Sequence, residues 1–458
     1  MNKSLSISAE RVEQPATDPL EERTWAAIRI YAGSRCVTRW MKRDSGDESD
    51  TIYVPVFAIA QWIVRNWWFL FNETCPTEIP PHPLANMTED QKWWMYRHCL
   101  RSADAGLFLP RFSLWTDGRQ LCAGWSADPE GSYDCMPGVF LYGSLARMNP
   151  IEVEDSLREF VSKVLQWVEG ADDPRVQDLT DNWNAINSST EAEASFARSA
   201  ARMGLDPYAL SAWPTGLPEL LETTLSDDLA KPLALDFLTV ARQATALPLW
   251  EWVQELVDNA RLDAAPGFAP LDGHGHAGQA GVLAARQMRE ELGLDSDAKV
   301  NVEDVSKLEG FEPLQFESHN HCPDTAVKGA VGWRDVNKPV IVGPAPSLNT
   351  SRRFVEARGL FHALFTCQNG PRLVTRGRDW DQQASRGFAA ELLAPRAILM
   401  NFDDDLDTDE QAGLITSLAQ KYEVDPQLIQ WQLVNAKRVG YLSHTSLPIA
   451  SSLTTPFF

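Results

Sequence analysis

The chain has 458 residues, 44% of them hydrophobic and 23% charged, which is too long for one compact core and predicts two or three domains. Its 41 basic and 63 acidic side chains leave a formal net charge of −22, a field that repels polyphosphate and argues against nucleic acid as a partner. No apolar leader core opens the sequence and no stretch of about 18 apolar residues runs free of Arg, Asn or Gln, so the expectation is a cytoplasmic protein with no membrane contact.

Residues 1–20 are polar, carry Pro15 and Pro19, and predict a disordered N-terminus. Residues 21–150 predict a Trp-rich α+β domain, with Trp25, Trp40, Trp62, Trp67, Trp68, Trp93, Trp94, Trp115 and Trp125 crowded into it. Segments 25–37 and 51–55 read as a hairpin about an acidic turn at 44–50. Apolar residues at Ile59, Ala60, Ile63, Trp67 and Leu70 recur at i+3/i+4 and predict one helix. Its Trp stripe reads as domain core, because a membrane-surface helix would carry more Lys and Arg on its polar face. Short strands are expected at 107–115, 120–125 and 138–142.

Residues 151–262 predict an all-helical domain, interrupted at Pro174, Pro214 and Pro218. Within it, Ala200 and Gly204 have the turn spacing of a helix-turn-helix, yet the expected second helix at 207–213 has no Lys or Arg to meet phosphates or guanine edges. Ordinary helix packing is the reading. A Gly/Pro/His linker at 263–278 separates it from a third domain at 279–400, and 401–458 predicts a helical pair and an uncharged tail. The seven cysteines are scattered, odd in number and never in a C-x-x-C pair, so they read as reduced thiols.

The third domain opens with a helix at 281–292 and continues through strands at 331–334 and 339–343. A helix at 350–365, capped by Thr350, stops at Cys367-Gln-Asn-Gly370. A second helix at 382–393 turns Phe388, Ala389, Leu392 and Leu393 to one side.

These two helices carry a resemblance. Arg353-Phe354, Ala357 and His362, followed by Ala384, Phe388-Ala389-Ala390, Leu392-Leu393 and Pro395, resemble the ImmA/IrrE family of zinc metallopeptidases. That family's pattern is Arg-Phe-x-x-Ala-His-Glu-x-x-His on one helix and Glu-Ala-Asn-x-Phe-Ala-Ala-x-Leu-Leu-x-Pro on the next. The tail matches at Leu418-Ala419, Tyr422, Val424-Asp425-Pro426, Ile429, Gln432-Leu433 and Asn435, so the likeness runs from 278 to 438, roughly a third of the chain. It implies a multidomain α+β protein with a zincin-like C-terminal domain.

The chemistry of that family needs two imidazoles at i and i+4 on one zinc ion and a Glu beside the first to activate water. Here Arg358 stands at the first imidazole, Gly359 at the general base, and only His362 remains; the third, carboxylate ligand falls at Gln383. A guanidinium repels the metal and cannot become a ligand. The resemblance therefore implies a pseudo-peptidase without a cofactor, whose cleft of Arg358, His362, Asp381, Gln383 and Glu391 binds a protein partner. Its implied setting is regulation or sensing in bacterial stress response, mobile elements or phage defence, with the oligomeric state open.

Other chemistries stay as alternatives. A relocated zinc site from His362 with His319, His321 or Cys322 would make an active metallo-endopeptidase cutting a repressor- or antitoxin-like protein. His274 and His276 offer transient metal binding. Asp403, Asp405, Asp407 and Asp409 imitate a calcium loop without its Gly and final Glu. Cys322 or Cys367 with His362 would make a nucleophilic pair. A buried Arg358 needs a counter-charge, and a salt bridge to Glu391 or Asp381 is expected to replace the metal as the pin between the two helices.

Overall fold

The computed structural model describes residues 4–77, 80, 86–128, 136–224, 231–264, 271, 275–303, 312–335, 337–399 and 408–444. The chain is mixed helix and sheet and divides into two compact units, 1–208 and 209–446.

The first unit begins with β1 (Leu5–Arg11), α1 (Pro19–Thr24), β2 (Trp25–Ala32), β3 (Arg35–Cys36), β4 (Trp40–Lys42), β5 (Glu48–Ser49) and β6 (Ile52–Pro55). The expected disordered N-terminus is thus corrected. Leu5 and Ala9 of β1 point into the core, and the strand pairs antiparallel with β2 from Leu5↔Ala32 to Arg11↔Ala26. Pro19, which favoured disorder in the sequence, instead occupies the first turn of α1, where a missing N–H costs nothing; Asp18 caps that helix through Leu20 N at 3.0 Å. The hairpin forms as β2 against β6.

Next come α2 (Phe57–Arg65), α3 (Trp67–Asn72), α4 (Glu89–His98), β7 (Arg111–Thr116), β8 (Leu121–Ser126), β9 (Gly138–Phe140) and β10 (Ser144–Met148). The single helix expected over 56–70 breaks at Asn66, whose side chain donates to Trp62 O at 2.8 Å and competes with the helical ladder. Trp62, Trp67 and Trp68 are core residues. Strands β10-β8-β7 make one antiparallel sheet and β5-β4-β9 another.

The predicted helical middle domain does not form as one body. Its first helices, α5 (Pro150–Trp167), α6 (Pro174–Ser188) and α7 (Glu191–Arg202), bury Val153, Leu157, Phe160, Leu179, Trp183 and Ala197 in the first unit's core. Ser156 Oγ donates to Leu5 O at 2.7 Å, tying α5 to β1. The expected helix at 207–213 is only a short 3-10 turn, Leu210–Ala212.

In the second unit lie α8 (Leu217–Thr224), α9 (Lys231–Val240), α10 (Ala246–Ala260) and α11 (Ala277–Glu291). They are followed by β11 (Gln315–His319), β12 (Val327–Asp335), β13 (Lys338–Pro344), α12 (Asn349–Phe365), β14 (Arg372–Thr375), α13 (Trp380–Leu393), α14 (Thr408–Tyr422) and α15 (Pro426–His444). The sheet order is β11-β13-β12-β14, with β11 parallel to β13 and the other neighbours antiparallel. Helices α9 and α10 belong here because their partners do: Arg334 Nε donates to Ala260 O at 3.0 Å, and Asp263, inside the expected linker, bridges Trp333 of β12 through N–H···O contacts of 2.7 and 3.0 Å.

Helices α11 and α13 approach until their backbones touch. A Cβ on Gly281 would sit 2.0 Å from Ala384 O, and one on Gly387 would sit 2.4 Å from Gly278 O. Only glycine permits that crossing. The cap of α12 is also corrected: Leu348 precedes the helix and supplies no side-chain cap, and Thr350 lies inside the first turn. Among the described residues no helix is long and apolar enough to cross a membrane.

Candidate functional site

The two helices that carry the resemblance, α12 and α13, meet strand β14 in a buried polar cluster. Hydrophobic packing positions it: Phe361 of α12 and Phe388 of α13 lie 5.5 Å apart between ring centroids, and Ala357, Leu360, Ala384 and Ala389 fill the space around them. This leaves Arg358 and His362, one turn apart, facing β14 and the start of α13. Both are buried, at 4% and 0% exposure, so neither lines an open cleft.

Among the described residues, Arg358 has no carboxylate at hydrogen-bond distance. Its Nε donates to Ser385 Oγ at 3.0 Å, and Nη2 donates to Thr375 O at 2.8 Å and Gln382 Oε1 at 2.6 Å. The expected salt bridge to Glu391 or Asp381 is therefore overturned. Glu391 lies further along α13, six residues beyond Ser385, where it accepts from Arg286 Nε at 2.8 Å and faces Arg396 and Gln432. Asp381 accepts from Arg372 Nη1 at 2.8 Å. Burial and the neighbouring Arg386 guanidinium push the Arg358 pKa well down, against the pull of Asp379 and Asp236.

The ion pair that does pin this region uses residues the sequence did not single out. Arg372 of β14 makes a two-pronged contact with Asp236 of α9, at 2.7 and 2.8 Å, and Asp236 also accepts from Leu373 N at 2.9 Å. Burial opposes the Arg372 charge, but Asp236 and Asp381 outweigh it and hold the guanidinium cationic. Gln382 then joins the two networks, taking Thr375 N and Arg358 on its oxygen and giving its amide to Leu373 O at 2.6 Å.

The position assigned to a carboxylate ligand, Gln383, turns away from His362 and donates to Arg378 O at 2.6 Å. Its neighbour Gln382 is the residue that faces inward. At Gly359 a Cβ would already lie 2.8 Å from Ile341 Cδ1, so β13 fills the space a general-base Glu would need. His362 Nδ1 lies 2.9 Å from Thr366 Oγ1, and its Nε2 has no hydrogen-bond partner among the described residues. Burial, with Arg372 and Arg358 nearby, pushes its pKa well below the ordinary imidazole value and keeps it neutral.

Asp379 caps α13 through Gln382 N at 3.0 Å, while its second oxygen is buried without a hydrogen-bond partner among the described residues. Burial, with Asp236 and Asp381 beside it, pushes its carboxyl up to about 6.

One imidazole nitrogen bordered by a guanidinium and a carboxamide does not fit a zinc ion, which requires three or four convergent N, S or O donors. The proposed substitutes do not assemble around it. His319 faces Glu255, with Nε2 to Oε1 at 4.0 Å, and lies against Trp252; His321 is exposed; Cys322 donates to Asp324 O at 2.9 Å. Among the described residues no group of three or more His, Cys, Asp or Glu is placed to hold a metal. Cys367 donates to Val331 O at 3.6 Å and burial pushes its thiol up to about 12, so it makes no nucleophile with His362. His274, Asp403, Asp405 and Asp407 lie outside the described residues, and Asp409 is exposed in the first turn of α14. No family model matches this chain, and no curated protein or solved structure matches it.

Proposed function

We propose that the second unit is a peptidase-like domain that has exchanged hydrolysis for binding, and that the protein serves as a regulatory or sensing component acting on a protein partner. The bacterial settings implied by the ImmA/IrrE resemblance, stress response and defence against mobile elements or phage, are part of that reading. The observation that carries it is the filling of the general-base position: Ile341 packs where a side chain on Gly359 would project. Support also comes from the exchange of roles at the ligand positions. Arg358 and Gln383 bind the carbonyls of Thr375 and Arg378, so groups placed for a metal in the family here shape a backbone segment. A mixed sheet with α12 and α13 packed against it agrees with a zincin-like frame, but fold does not carry activity when the reacting groups are gone.

The test is metal content by elemental analysis, on full-length protein purified without a metal-affinity tag and dialysed against a mild chelator, paired with a peptidase assay. The expected result is zinc well below a tenth of an equivalent and no cleavage. Zinc near one equivalent, lost in His362→Ala together with a cleavage activity, would overturn the reading.

A further inference from the structure

Helix α4 of the first unit divides into a buried stripe and an exposed one. Trp94 and His98, one turn apart, are buried; the Trp94 ring stacks on the imidazole at 4.4 Å, and His98 Nδ1 lies 2.5 Å from Leu114 O. Burying that stripe sends Glu89, Trp93 and Tyr96, spaced i, i+4 and i+7, to the opposite side. Of the chain's 17 tryptophans, Trp93 alone among the described residues is exposed, at 60%, and Tyr96 beside it is exposed at 62%. Their rings meet at 75° with centroids 6.4 Å apart. The capping box of Thr88 and Gln91 closes the first turn with bonds of 3.0 and 3.3 Å, and Trp62 Nε1 donates to Tyr96 O at 3.3 Å. The two rings thus stand on a fixed backbone, which lowers the ordering cost of binding.

We propose that the exposed stripe of Glu89, Trp93 and Tyr96, with Asp90 at its edge, is a docking surface for an arginine-bearing segment of a protein partner. Aromatic area left in water adds little to folding, whereas Trp and Tyr are the residue types that dominate binding energy at interfaces. A cation is attracted to an aromatic face within about 6 Å of its centroid. With the two centroids 6.4 Å apart, one guanidinium falls within that range of both rings. The surrounding charge selects the sign. Helical side chains lean toward the N-terminus, which places the exposed Glu89 and Asp90 carboxylates one turn ahead of Trp93. Lys92 Nζ meets Glu89 Oε1 at 2.5 Å, an exposed and solvent-screened pair that a partner's guanidinium can replace. A chain of net charge −22 draws cations at longer range and repels an anionic membrane surface. Arginine fits better than lysine, because a planar guanidinium stacks on an aromatic face and forks to a carboxylate. This surface belongs to the first unit and uses none of the peptidase-like residues, so its failure would leave the reading of the second unit intact.

Fluorescence anisotropy of a short labelled arginine–glycine peptide, titrated with the full-length protein at physiological ionic strength, tests this beside the same peptide carrying neutral citrulline. The variant Trp93→Leu/Tyr96→Leu keeps net charge and helix propensity but removes both aromatic faces, so binding through the overall field alone would survive it. The expected result is saturable binding that weakens at least about fivefold in that variant, the effect of losing two exposed cation–π contacts. Binding should return at least in part in Trp93→Phe/Tyr96→Phe and be unchanged in the control Tyr53→Leu, a tyrosine 58% exposed on β6. The citrulline peptide should not bind, and thermal unfolding would verify that each variant folds. No saturable binding, a smaller loss in the Leu variant, an equal loss in the Phe variant, or equal binding of the citrulline peptide would overturn the proposal. Co-sedimentation of the wild type with anionic vesicles, lost in the Leu variant, would assign the rings to a membrane and overturn it as well.

Discussion

One buried cluster in each unit holds its charge differently: paired at Glu73 in the first and, beside the Arg372–Asp236 ion pair, on neutral oxygens at Arg358 in the second. In the first, Glu73 accepts from Arg97 Nε at 2.8 Å and faces His98 Nε2 at 2.9 Å, while His98 Nδ1 lies 2.5 Å from Leu114 O. Both ring nitrogens face oxygens, and Trp94 stacks on the ring at 4.4 Å. Burial pushes the Glu73 carboxyl up, but His98 and Arg97 together hold it below the usual carboxylate range. In the second unit Arg358 is equally buried and bonded only to neutral oxygens. Charge that finds an ionic partner serves packing. Charge that is held on carbonyls instead shapes a loop, at a cost in desolvation that packing alone does not require.

Breaking the paired cluster is expected to have the largest effect. Glu73→Gln removes the buried anion that Arg97 and His98 face and should lower unfolding free energy by about 3–5 kcal/mol, measured by denaturant titration. Because the Glu73 pKa is depressed, its stabilisation is present above the unfolded carboxyl pKa and lost as pH falls through the lower folded one, so the difference between wild type and variant should shrink only in acid.

A change of opposite sign is expected at Asp379. Its carboxyl is raised to about 6, so the proton is held more tightly in the folded state, and the associated stability is complete at low pH and lost as pH rises through about 6. Asp379→Asn keeps the helix cap and removes the buried charge. The variant should gain on the order of 2 kcal/mol at pH 8, since each pKa unit is about 1.4 kcal/mol, and no gain near pH 4. Thermal unfolding across that range checks it; an Asn variant less stable at pH 8 would show that the charge has a compensating partner.

The unpaired guanidinium itself should matter less. Arg358→Leu strands neutral acceptors but relieves a buried charge, and the net change is expected within about 1.5 kcal/mol. A loss of 4 kcal/mol or more would mean that Arg358 has an anionic partner and would erase the contrast. Smallest of all, Gln383→Ala removes one side chain to backbone hydrogen bond, worth about 1 kcal/mol, and its effect should reach the turn at 376–378 as faster amide exchange.

Much of this was legible in the chain. Period-3.6 apolar spacing located α12 and α13 within a few residues, whereas the Asp379 cap two residues before the expected start of α13 was not read from the sequence. That Arg358 and Gly359 stand where the resemblance would place an imidazole and a general base was visible without any fold. Other features were not legible. The N-terminal strand has only Leu5, Ile7 and Ala9 to mark it, and it is made a strand by β2 and by Ser156 of α5, 151 residues from Leu5. The division of the helical middle depends on which apolar face finds which core.

The amino-acid sequence by itself determined which residue types α12 and α13 bring to the candidate site: Arg358, Gly359 and His362 on one, Gln382 and Gln383 on the other. Only the tertiary structure decided the partners. Asp236 meets Arg372 across 136 residues, Ile341 of β13 fills the space at Gly359, and Gln382 rather than Gln383 faces inward. Local spacing sets where a side chain leaves its helix, whereas the charge or carbonyl it meets comes from distant segments whose approach is set by packing of the whole core.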